Sequence, residues 1–99
     1  MKSRIRFTNS AEADLLELWL TIAEENLIAA DESLDLIQLA IAALGRQPEM
    51  GRVRPELANG LRSISTRTPY IIFYVLNADG LLVVRVLHHA RDIDADYFF

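Results

Sequence analysis

The sequence has 99 residues, of which 52% are apolar, a formal net charge of −4 and no cysteine. This composition excludes a disordered chain, a membrane-spanning apolar run, and disulfide or thiolate chemistry. Two histidines and scattered acids are too few for a convincing metal site, so we expect neither a metal nor a cofactor. We expect one cytoplasmic domain over residues 1–99, because the first residues lack the basic and apolar pattern of an export signal.

The charges are distributed unevenly along the chain. Residues 1–45 hold three basic and eight acidic residues, a net charge of −5, whereas residues 46–91 hold seven arginines and three acids, a net charge of +4. Nine of the ten basic residues are arginine, whose planar guanidinium binds carboxylate or phosphate through two parallel hydrogen bonds. Two interpretations are open: the arginines bind an anionic partner, or they pair with the acidic helices of the same molecule.

The chain begins with a predicted strand and a predicted helix. Ile5 and Phe7 alternate with polar residues, which is typical of an edge strand. Asn9 or Ser10 can cap the helix that follows. The apolar residues of this helix recur at helical spacing, and the largest of them, Trp19, is predicted to be a core anchor; the stripe consists of Ala11, Leu15, Leu18, Trp19 and Ile22.

A second helix is predicted over residues 29–44 and would form a hairpin with the first. Asn26 can end the first helix in a left-handed conformation, with Leu27 and Ile28 packing the turn. Gly45 is predicted to end the second helix. Residues 46–60 contain two prolines and two glycines without a sustained period, which indicates an ordered connector.

Three strands are predicted in the second half, over residues 61–66, 70–76 and 81–87, and the turn at residues 77–80 makes the last two antiparallel. Alternation in the middle strand predicts one face with Ile71, Phe73 and Val75 and the other with Tyr70, Ile72 and Tyr74. Residues 91–99 either form a helical turn or stay extended with their aromatic end tucked in. The predicted fold is α+β in the order β-α-α-β-β-β, with a mainly antiparallel sheet and a two-helix hairpin on one face.

The last strand leads into a cluster of polar side chains. Alternation predicts one face with Arg85, Leu87 and His89 and the other with Val84, Val86 and His88. Arg85 lies in an otherwise apolar strand and needs a partner, because an unpaired buried charge is unfavourable by several kcal/mol. That partner is either an internal acid, such as Asp92 or a helix acid, or an anion or acidic peptide on the open face. His88 and His89 are predicted to point to opposite faces, which is unsuitable for binding one metal together.

Four strings of the sequence carry a family likeness: RFTNSAEADLLELWLTIAEEN, PEMGRVRPELANGLRS, YIIFY and VVRVLHHARD. They resemble ParE-type toxins of the RelE/ParE superfamily, the toxin halves of type II toxin–antitoxin modules. The most specific parts are Gly51–Ser63 and Arg85–Asp92, where family members often have glycine in place of His89. The resemblance spans nearly the whole chain and implies the same fold as the pattern, together with a role in plasmid stabilisation.

The superfamily resemblance implies two alternative activities. The ParE branch poisons DNA gyrase by binding it, whereas the RelE branch cleaves mRNA in the ribosome. The gyrase activity is favoured, because an enzyme acting within ribosomal RNA normally has a strongly basic surface and this chain has a pI of about 5.0. Ile71 also replaces a basic residue that is common in the RelE branch. For a nuclease, the candidate catalytic residues would be Arg67, Arg85, His88, Arg91 and Tyr97.

The resemblance also implies a ParD-like antitoxin, in a toxin–antitoxin heterotetramer or beside a toxin homodimer. Its tail is expected to be amphipathic and acidic, because it has to cover apolar surface and pair with arginines. We expect Arg85 to contribute more to this binding than Arg46, and we expect no binding to membranes or to specific nucleic-acid sequences. A decayed module that only binds antitoxin is a further alternative. The predicted residues for antitoxin or target binding are Arg52, Arg54, Arg62, Arg67, Tyr70, Tyr74, Arg85, His89 and Arg91.

Overall fold

The structure is a computed structural model that describes residues 4–98. Its two helices are α1 (Asn9–Ala23) and α2 (Leu27–Arg46), and a short 3-10 turn covers Ala95–Tyr97. The strands are β1 (Ile5–Phe7), β2 (Arg52–Val53), β3 (Leu61–Ser65), β4 (Tyr70–Asn77) and β5 (Gly80–His88). The predicted α+β order is confirmed, and β2 is an additional short strand within the predicted connector.

The five strands form one sheet in the order β1-β5-β4-β3-β2. β1 pairs with β5 in parallel and lies at an edge, as predicted, while the other neighbouring strands are antiparallel. β5 is therefore an interior strand over the part that β1 covers. No helix within residues 4–98 has both the length and the apolar character needed to cross a bilayer.

Both helices pack on one face of the sheet, which confirms the predicted hairpin. The first core lies between them and the sheet, and its buried residues are Ala11, Leu18, Ile37, Ile41, Leu44, Ile72, Tyr74, Leu81, Val83 and Val86. The apolar stripes of the two helices supply half of this set, because residues three and four apart share one helical face.

A second, smaller core lies on the opposite face of the sheet. Phe98 is 1% exposed, and its ring centroid lies 4.8 Å from that of Phe73. The C-terminal segment therefore forms a helical turn and also buries an aromatic side chain, which combines the two predicted conformations; Phe99 lies outside the described residues. The buried members of this core are Leu61, Phe73, Val84, Leu87 and Phe98.

A bulge in β5 changes the faces predicted for that strand. Phe73 pairs with Arg85 and Tyr74 pairs with Val83, so Val84 is an extra residue without a partner. Val84 consequently lies in the second core while Val86 lies in the first, and their predicted common face is wrong. The faces predicted for β4 are confirmed, because β4 keeps its alternation through the bulge.

The helix caps differ from those predicted. The hydroxyl of Thr8 accepts the Ala11 N–H at 3.0 Å, so α1 is capped one residue earlier than Asn9. Asn26 has an extended backbone with φ of −158°, and its side chain accepts the Ala29 N–H at 3.0 Å. Asn26 therefore begins α2 instead of ending α1.

Four apolar or small residues of the hairpin also lie elsewhere than predicted. Leu27 and Ile28 are 62% and 72% exposed and do not pack the turn, because they belong to the first turn of α2. Gly45 is buried inside α2 and does not end it. Trp19 is half-buried between the helices, where its indole N–H donates to the Asp31 carboxylate at 2.9 Å, so it is not a core anchor.

Candidate functional site

Arg85 forms an internal ion pair with Asp14 of α1. Its Nε and Nη2 atoms each donate to the Asp14 carboxylate at 2.8 Å, and Asp14 is 8% exposed. The hydrogen bonds that Arg85 donates to Asp14 raise the pKa of Arg85, although burial of the guanidinium opposes this shift. The sequence left several possible partners for Arg85. The structure shows that the partner is an acid of a helix, Asp14, and not Asp92.

The position of Asp14 follows from where β1 ends. Beyond Val83, the edge of β5 has no strand beside it, and the start of α1 lies there instead. The hydroxyl of Thr8 donates to the Val84 carbonyl at 2.7 Å, and the Asp14 carboxylate accepts the Val86 N–H at 3.0 Å. Side chains thus satisfy backbone groups that a longer β1 would have paired.

The guanidinium of Arg85 also contacts the C-terminal segment. Its Nη1 donates to the Tyr97 carbonyl at 3.3 Å, and its central carbon lies 5.5 Å from the Tyr97 ring centroid. Arg85 is therefore held between Asp14 and Tyr97. These contacts use three of the five N–H groups of the guanidinium, and the expectation that Arg85 is a leading contact for a partner stays a prediction.

A small cleft lies between α1 and the end of β5. Its volume is about 130 Å³, and its lining includes Glu17, Tyr70, His88 and Arg91. The Tyr70 and His88 rings meet edge to face with centroids 5.2 Å apart, and burial raises the pKa of Tyr70. Arg91 lies 3.8 Å from Glu17, and both side chains are largely exposed. The cleft therefore brings a phenol, an imidazole and a weakly paired cation together.

The two histidines stack instead of pointing to opposite faces. β5 ends at His88, so His89 lies beyond the alternating part of the strand and shares no strand face with Arg85. The two ring centroids are 4.9 Å apart, with an angle of 24° between the planes. The Nδ1 atom of His88 accepts the Ala90 N–H at 3.0 Å, so neutral His88 carries its proton on Nε2.

The five candidate nuclease residues lie at three separate places. His88 and Arg91 line the small cleft. Arg85 and Tyr97 line another depression, together with acidic residues of the C-terminal segment. Arg67 lies beside α2, away from both. None of these three clefts is lined by all five residues.

Two residues predicted to bind a partner hold the connector in place instead. Tyr74 is fully buried; its hydroxyl donates to the Pro48 carbonyl at 2.8 Å and accepts the Gly51 N–H at 2.8 Å. Burial raises the pKa of Tyr74. Arg62 donates to the carbonyls of Glu49 at 3.1 Å and Gly51 at 2.9 Å. Tyr74 is therefore corrected to a structural residue, because no partner can reach a fully buried side chain.

Arg54 is likewise bound within the molecule. Its guanidinium pairs with Glu56 at 2.8 Å, donates to Ser63 at 3.0 Å and lies 5.8 Å from the Phe73 ring centroid. The hydrogen bond from Arg54 lowers the pKa of Glu56. The remaining residues predicted to bind a partner have accessible side chains: Tyr70 is half-buried, and the exposed ones are Arg52, Arg67, His89 and Arg91.

A larger groove lies between α2 and the end of β3, with a volume of about 480 Å³. One wall is the apolar side of α2, and the lining includes Arg46 of α2 and Arg67, which follows β3. Ser65 and Thr66 complete the wall opposite α2. The groove is lined by Leu36, Leu39, Ala40, Ala43, Arg46, Ser65, Thr66 and Arg67.

Comparison with known proteins identifies the family. Residues 5–93 match the family model described as the ParE toxin of the type II toxin–antitoxin system parDE. The chain belongs to the ParE toxin family. It is 33% identical over 96 residues to Toxin ParE1 of Mycobacterium tuberculosis, covering 95% of this chain and 97% of that protein. It is 29% identical over 93 residues to Toxin ParE3 of Caulobacter vibrioides, covering 93% and 92%.

Two solved structures have a similar fold to this ParE-family chain. The chromosomal ParDE toxin–antitoxin system of P. aeruginosa matches with a TM-score of 0.76 at 18% identity, covering 88% of this chain and 96% of that chain. The toxin–antitoxin complex RelBE2 of Mycobacterium tuberculosis matches with a TM-score of 0.61 at 29% identity, covering 89% and 99%. These matches agree with the α+β architecture described above.

Sequence reasoning missed two features of this ParE-family chain. Asp14 is absent from the predicted site residues, although it lies at helical spacing between Ala11 and Leu18 on the buried stripe. An acid on an apolar stripe predicts a buried partner, and this signal was available. The groove residues Leu39 and Arg46 were missed because this side of α2 forms a groove only together with β3. The sequence does not show that the two elements lie side by side.

Proposed function

We propose that this ParE-family toxin stops growth by binding DNA gyrase and that a ParD-like antitoxin neutralises it. The family match over residues 5–93 is the observation that carries the proposal. The ParE branch, which the sequence resembles, acts on gyrase, and the structural relatives include a ParDE system. Toxin activity then depends on binding surfaces and requires no catalytic group of this chain.

The position of Arg85 supports binding over RNA cleavage. A nuclease requires free cations around the scissile phosphate, together with a base and an acid. Arg85 is instead neutralised by Asp14 through two hydrogen bonds of 2.8 Å, and Arg67 lies in a different part of the surface. The net charge of −4 would also repel ribosomal RNA.

An mRNA endonuclease is the second candidate, and two observations favour it. The small cleft brings Tyr70, His88 and Arg91 together, and these residue types serve as acids, bases and cations in RNA cleavage. The likeness to the RelBE2 complex, at 29% identity, points to the same alternative. In this case His88 would act as a proton donor, because the Ala90 N–H occupies Nδ1 and the proton of the neutral ring lies on the free Nε2 atom.

Induced expression in a bacterial host tests the proposal. We expect growth to stop, a DNA-damage reporter to be induced, and translation to continue at first. Purified gyrase should lose supercoiling activity when the purified toxin is added. Early arrest of translation with mRNA cut at codon boundaries would establish the endonuclease instead, and no effect on growth would indicate a decayed module.

The variant His88→Gln separates the two activities further. A gyrase-binding toxin keeps its toxicity in this variant, because the cleft has no catalytic role. An endonuclease that uses His88 as its proton donor loses roughly 10²–10⁴-fold in cleavage rate. Wild-type and variant proteins should be compared at matched expression levels, measured on immunoblots.

A further inference from the structure

The face of the sheet opposite the helices carries a row of polar side chains beside β2. Arg52 of β2 pairs with Ser63 of β3, and Ser63 pairs with Phe73 of β4. Cross-strand partners point to the same side of a sheet, so all three lie on the face that holds the second core. Ser65 follows two residues after Ser63 and therefore returns to the same face.

These polar side chains line a depression with a volume of about 310 Å³. Met50 and Ile71 supply its apolar part, and no acid is among the described residues that line it. Small-molecule sites typically have volumes of roughly 300–1,000 Å³, so the depression has the size of a site for a small ligand.

The Ser63 hydroxyl has a donor that the fold leaves unused. Ser63 is 8% exposed, and its oxygen accepts a hydrogen bond from Nη1 of Arg54 at 3.0 Å. Within residues 4–98 its O–H has no hydrogen-bond acceptor. A buried polar group is normally satisfied, because leaving it without a partner is unfavourable. Arg54 therefore orients Ser63 and leaves its O–H free for an acceptor in the depression.

Arg52 supplies a positive charge without an internal partner. Its side chain is exposed, and no carboxylate in the described part of the chain lies within ion-pair distance of it. The pKa of Glu56 is lowered mainly by its hydrogen bond from Arg54 and also by the charge of Arg52. Glu56 is therefore the acid that competes with a bound anion, although it does not line the depression.

We propose that this depression binds the phosphate group of a small molecule, with Arg52 as the cation and Ser63 and Ser65 as hydroxyl donors. The guanidinium donates through two parallel N–H groups, and the hydroxyls approach from the neighbouring strand. A phosphate group has three terminal oxygens that accept from several directions, whereas the two oxygens of a carboxylate lie in one plane. The two serines are about 7 Å apart along β3, a distance that one bridging phosphate group spans.

The charge of the protein favours a small molecule over a nucleic-acid chain. Among the described residues of the lining, Arg52 is a single unpaired cation, and the net charge of the chain is −4. Binding of RNA or DNA along its backbone requires several cations, because each phosphate adds a negative charge. The inference does not depend on the cellular target of the toxin, and the purified chain is enough to test it.

An NMR titration of the amide signals tests the proposal, with adenosine monophosphate as the probe and adenosine as the matched control. Inorganic phosphate is a second probe, and sodium chloride keeps the ionic strength constant, since exposed charges are screened by salt. We expect saturable shifts of the Arg52, Ser63 and Ser65 signals with both phosphate probes and none with adenosine. Shifts that do not saturate, or that adenosine also produces, would overturn the proposal.

Variants of the charged residues test which groups bind the phosphate. Arg52→Ala should weaken binding of adenosine monophosphate about tenfold, because a charge-assisted pair is lost. Arg46→Ala removes an exposed arginine elsewhere and should bind as the wild type does. Glu56→Gln should strengthen binding about threefold, because it removes the competing carboxylate. Equal affinities of Arg52→Ala and Arg46→Ala would contradict the role given to Arg52.

The hydroxyl requirement has its own pair of variants. Ser63→Ala should weaken binding of adenosine monophosphate about fivefold, and Ser63→Thr, which keeps the hydroxyl, should restore most of the affinity. If Ser63→Ala does not fold, Ser65→Ala at the exposed end of β3 gives the same test. Unchanged affinity in a folded alanine variant would remove the hydroxyls from the site.

Single-stranded RNA of about ten nucleotides distinguishes a polymer from a small molecule. We expect it to bind more weakly than adenosine monophosphate, because the negative chain repels its many phosphates. Tighter binding of the RNA, with shifts at Arg52 and Ser63, would overturn the small-molecule assignment and support the endonuclease candidate.

Discussion

The edge of β5 and the groove beside α2 both contain arginine, but they use it differently. At the β5 edge, Arg85 is neutralised by Asp14 and covered by Tyr97. In the groove, Arg46 and Arg67 have no carboxylate partner within the described part of the chain, residues 4–98. The difference shows that a count of arginines does not identify a binding surface. What matters is whether the fold itself supplies the opposite charge.

The connector arginines resemble Arg85, because their guanidinium groups are also bound within the molecule. Arg62 holds two carbonyls of the connector, and Arg54 pairs with Glu56. These contacts stabilise the connector between α2 and β3, which has little strand pairing of its own. A partner that bound Arg54 or Arg62 would have to replace existing hydrogen bonds, whereas one that bound Arg67 would not.

The largest expected effect is that of Asp14→Ala. This change leaves the Arg85 guanidinium and the Val86 N–H without their acceptor, so we expect a loss of about 3 kcal/mol in the free energy of unfolding. Glu17→Ala on the same helix removes an exposed carboxylate 3.8 Å from Arg91 and should change stability by less than about 0.5 kcal/mol. Urea denaturation measures both; similar values would show that the β5 edge does not depend on this ion pair.

Tyr74→Phe should have the next largest effect. It removes the acceptor of the Gly51 N–H and the donor to the Pro48 carbonyl, with an expected loss of about 1–2 kcal/mol at neutral pH. Burial raises the pKa of Tyr74 above its ordinary value of 10.0. The wild type therefore keeps this stability below about pH 10 and loses it as the pH rises through the folded-state pKa.

The alkaline part of this prediction has its own control. Stability of the wild type should fall between neutral pH and strongly alkaline pH, and Tyr74→Phe should make that fall smaller. Burial also raises the pKa of Tyr70, so some alkaline dependence should remain in the variant. Denaturation curves with identical alkaline slopes for the two proteins would refute the role given to the Tyr74 hydroxyl.

Arg62→Ala should have a smaller effect, about 1 kcal/mol, because two hydrogen bonds to connector carbonyls are lost and water replaces them in part. Arg52→Ala is the matched control, since Arg52 is a neighbouring exposed arginine on β2. Amide hydrogen exchange of residues 47–53 should become faster in Arg62→Ala and stay unchanged in Arg52→Ala. Equal exchange in both would place the stabilisation of the connector entirely on Tyr74.

The smallest stability effects are expected in the groove. Arg46→Ala and Arg67→Ala should each change the free energy of unfolding by less than about 0.5 kcal/mol, because their side chains are exposed and unpaired. Thermal or urea unfolding measures this directly. A loss comparable to that of Asp14→Ala would mean that these arginines also have internal partners, and the comparison between the two regions would fail.

Local sequence patterns were enough to predict the α+β class and the order of the elements, apart from the short strand β2. Alternation in β4 correctly separated Phe73 from Tyr74, and the helical stripes correctly placed the hairpin on one face. These predictions succeed because hydrophobic periodicity is a local signal, readable within one helix or strand. The sequence also showed that Arg85, in an apolar strand, must have a partner, and it carried the family resemblance.

The contacts between distant residues depend on how the elements are placed relative to one another. Asp14 and Arg85 are 71 positions apart, and their pairing depends on β1 ending where α1 begins. The bulge at Val84 depends on pairing between strands, as the burial of Tyr74 depends on the path of the connector. No periodic pattern encodes such contacts, because they arise from the relative placement of elements that are each consistent with several packings. The availability of Arg46 and Arg67 follows from the same placement, since it brings no carboxylate of residues 4–98 within ion-pair distance of either arginine.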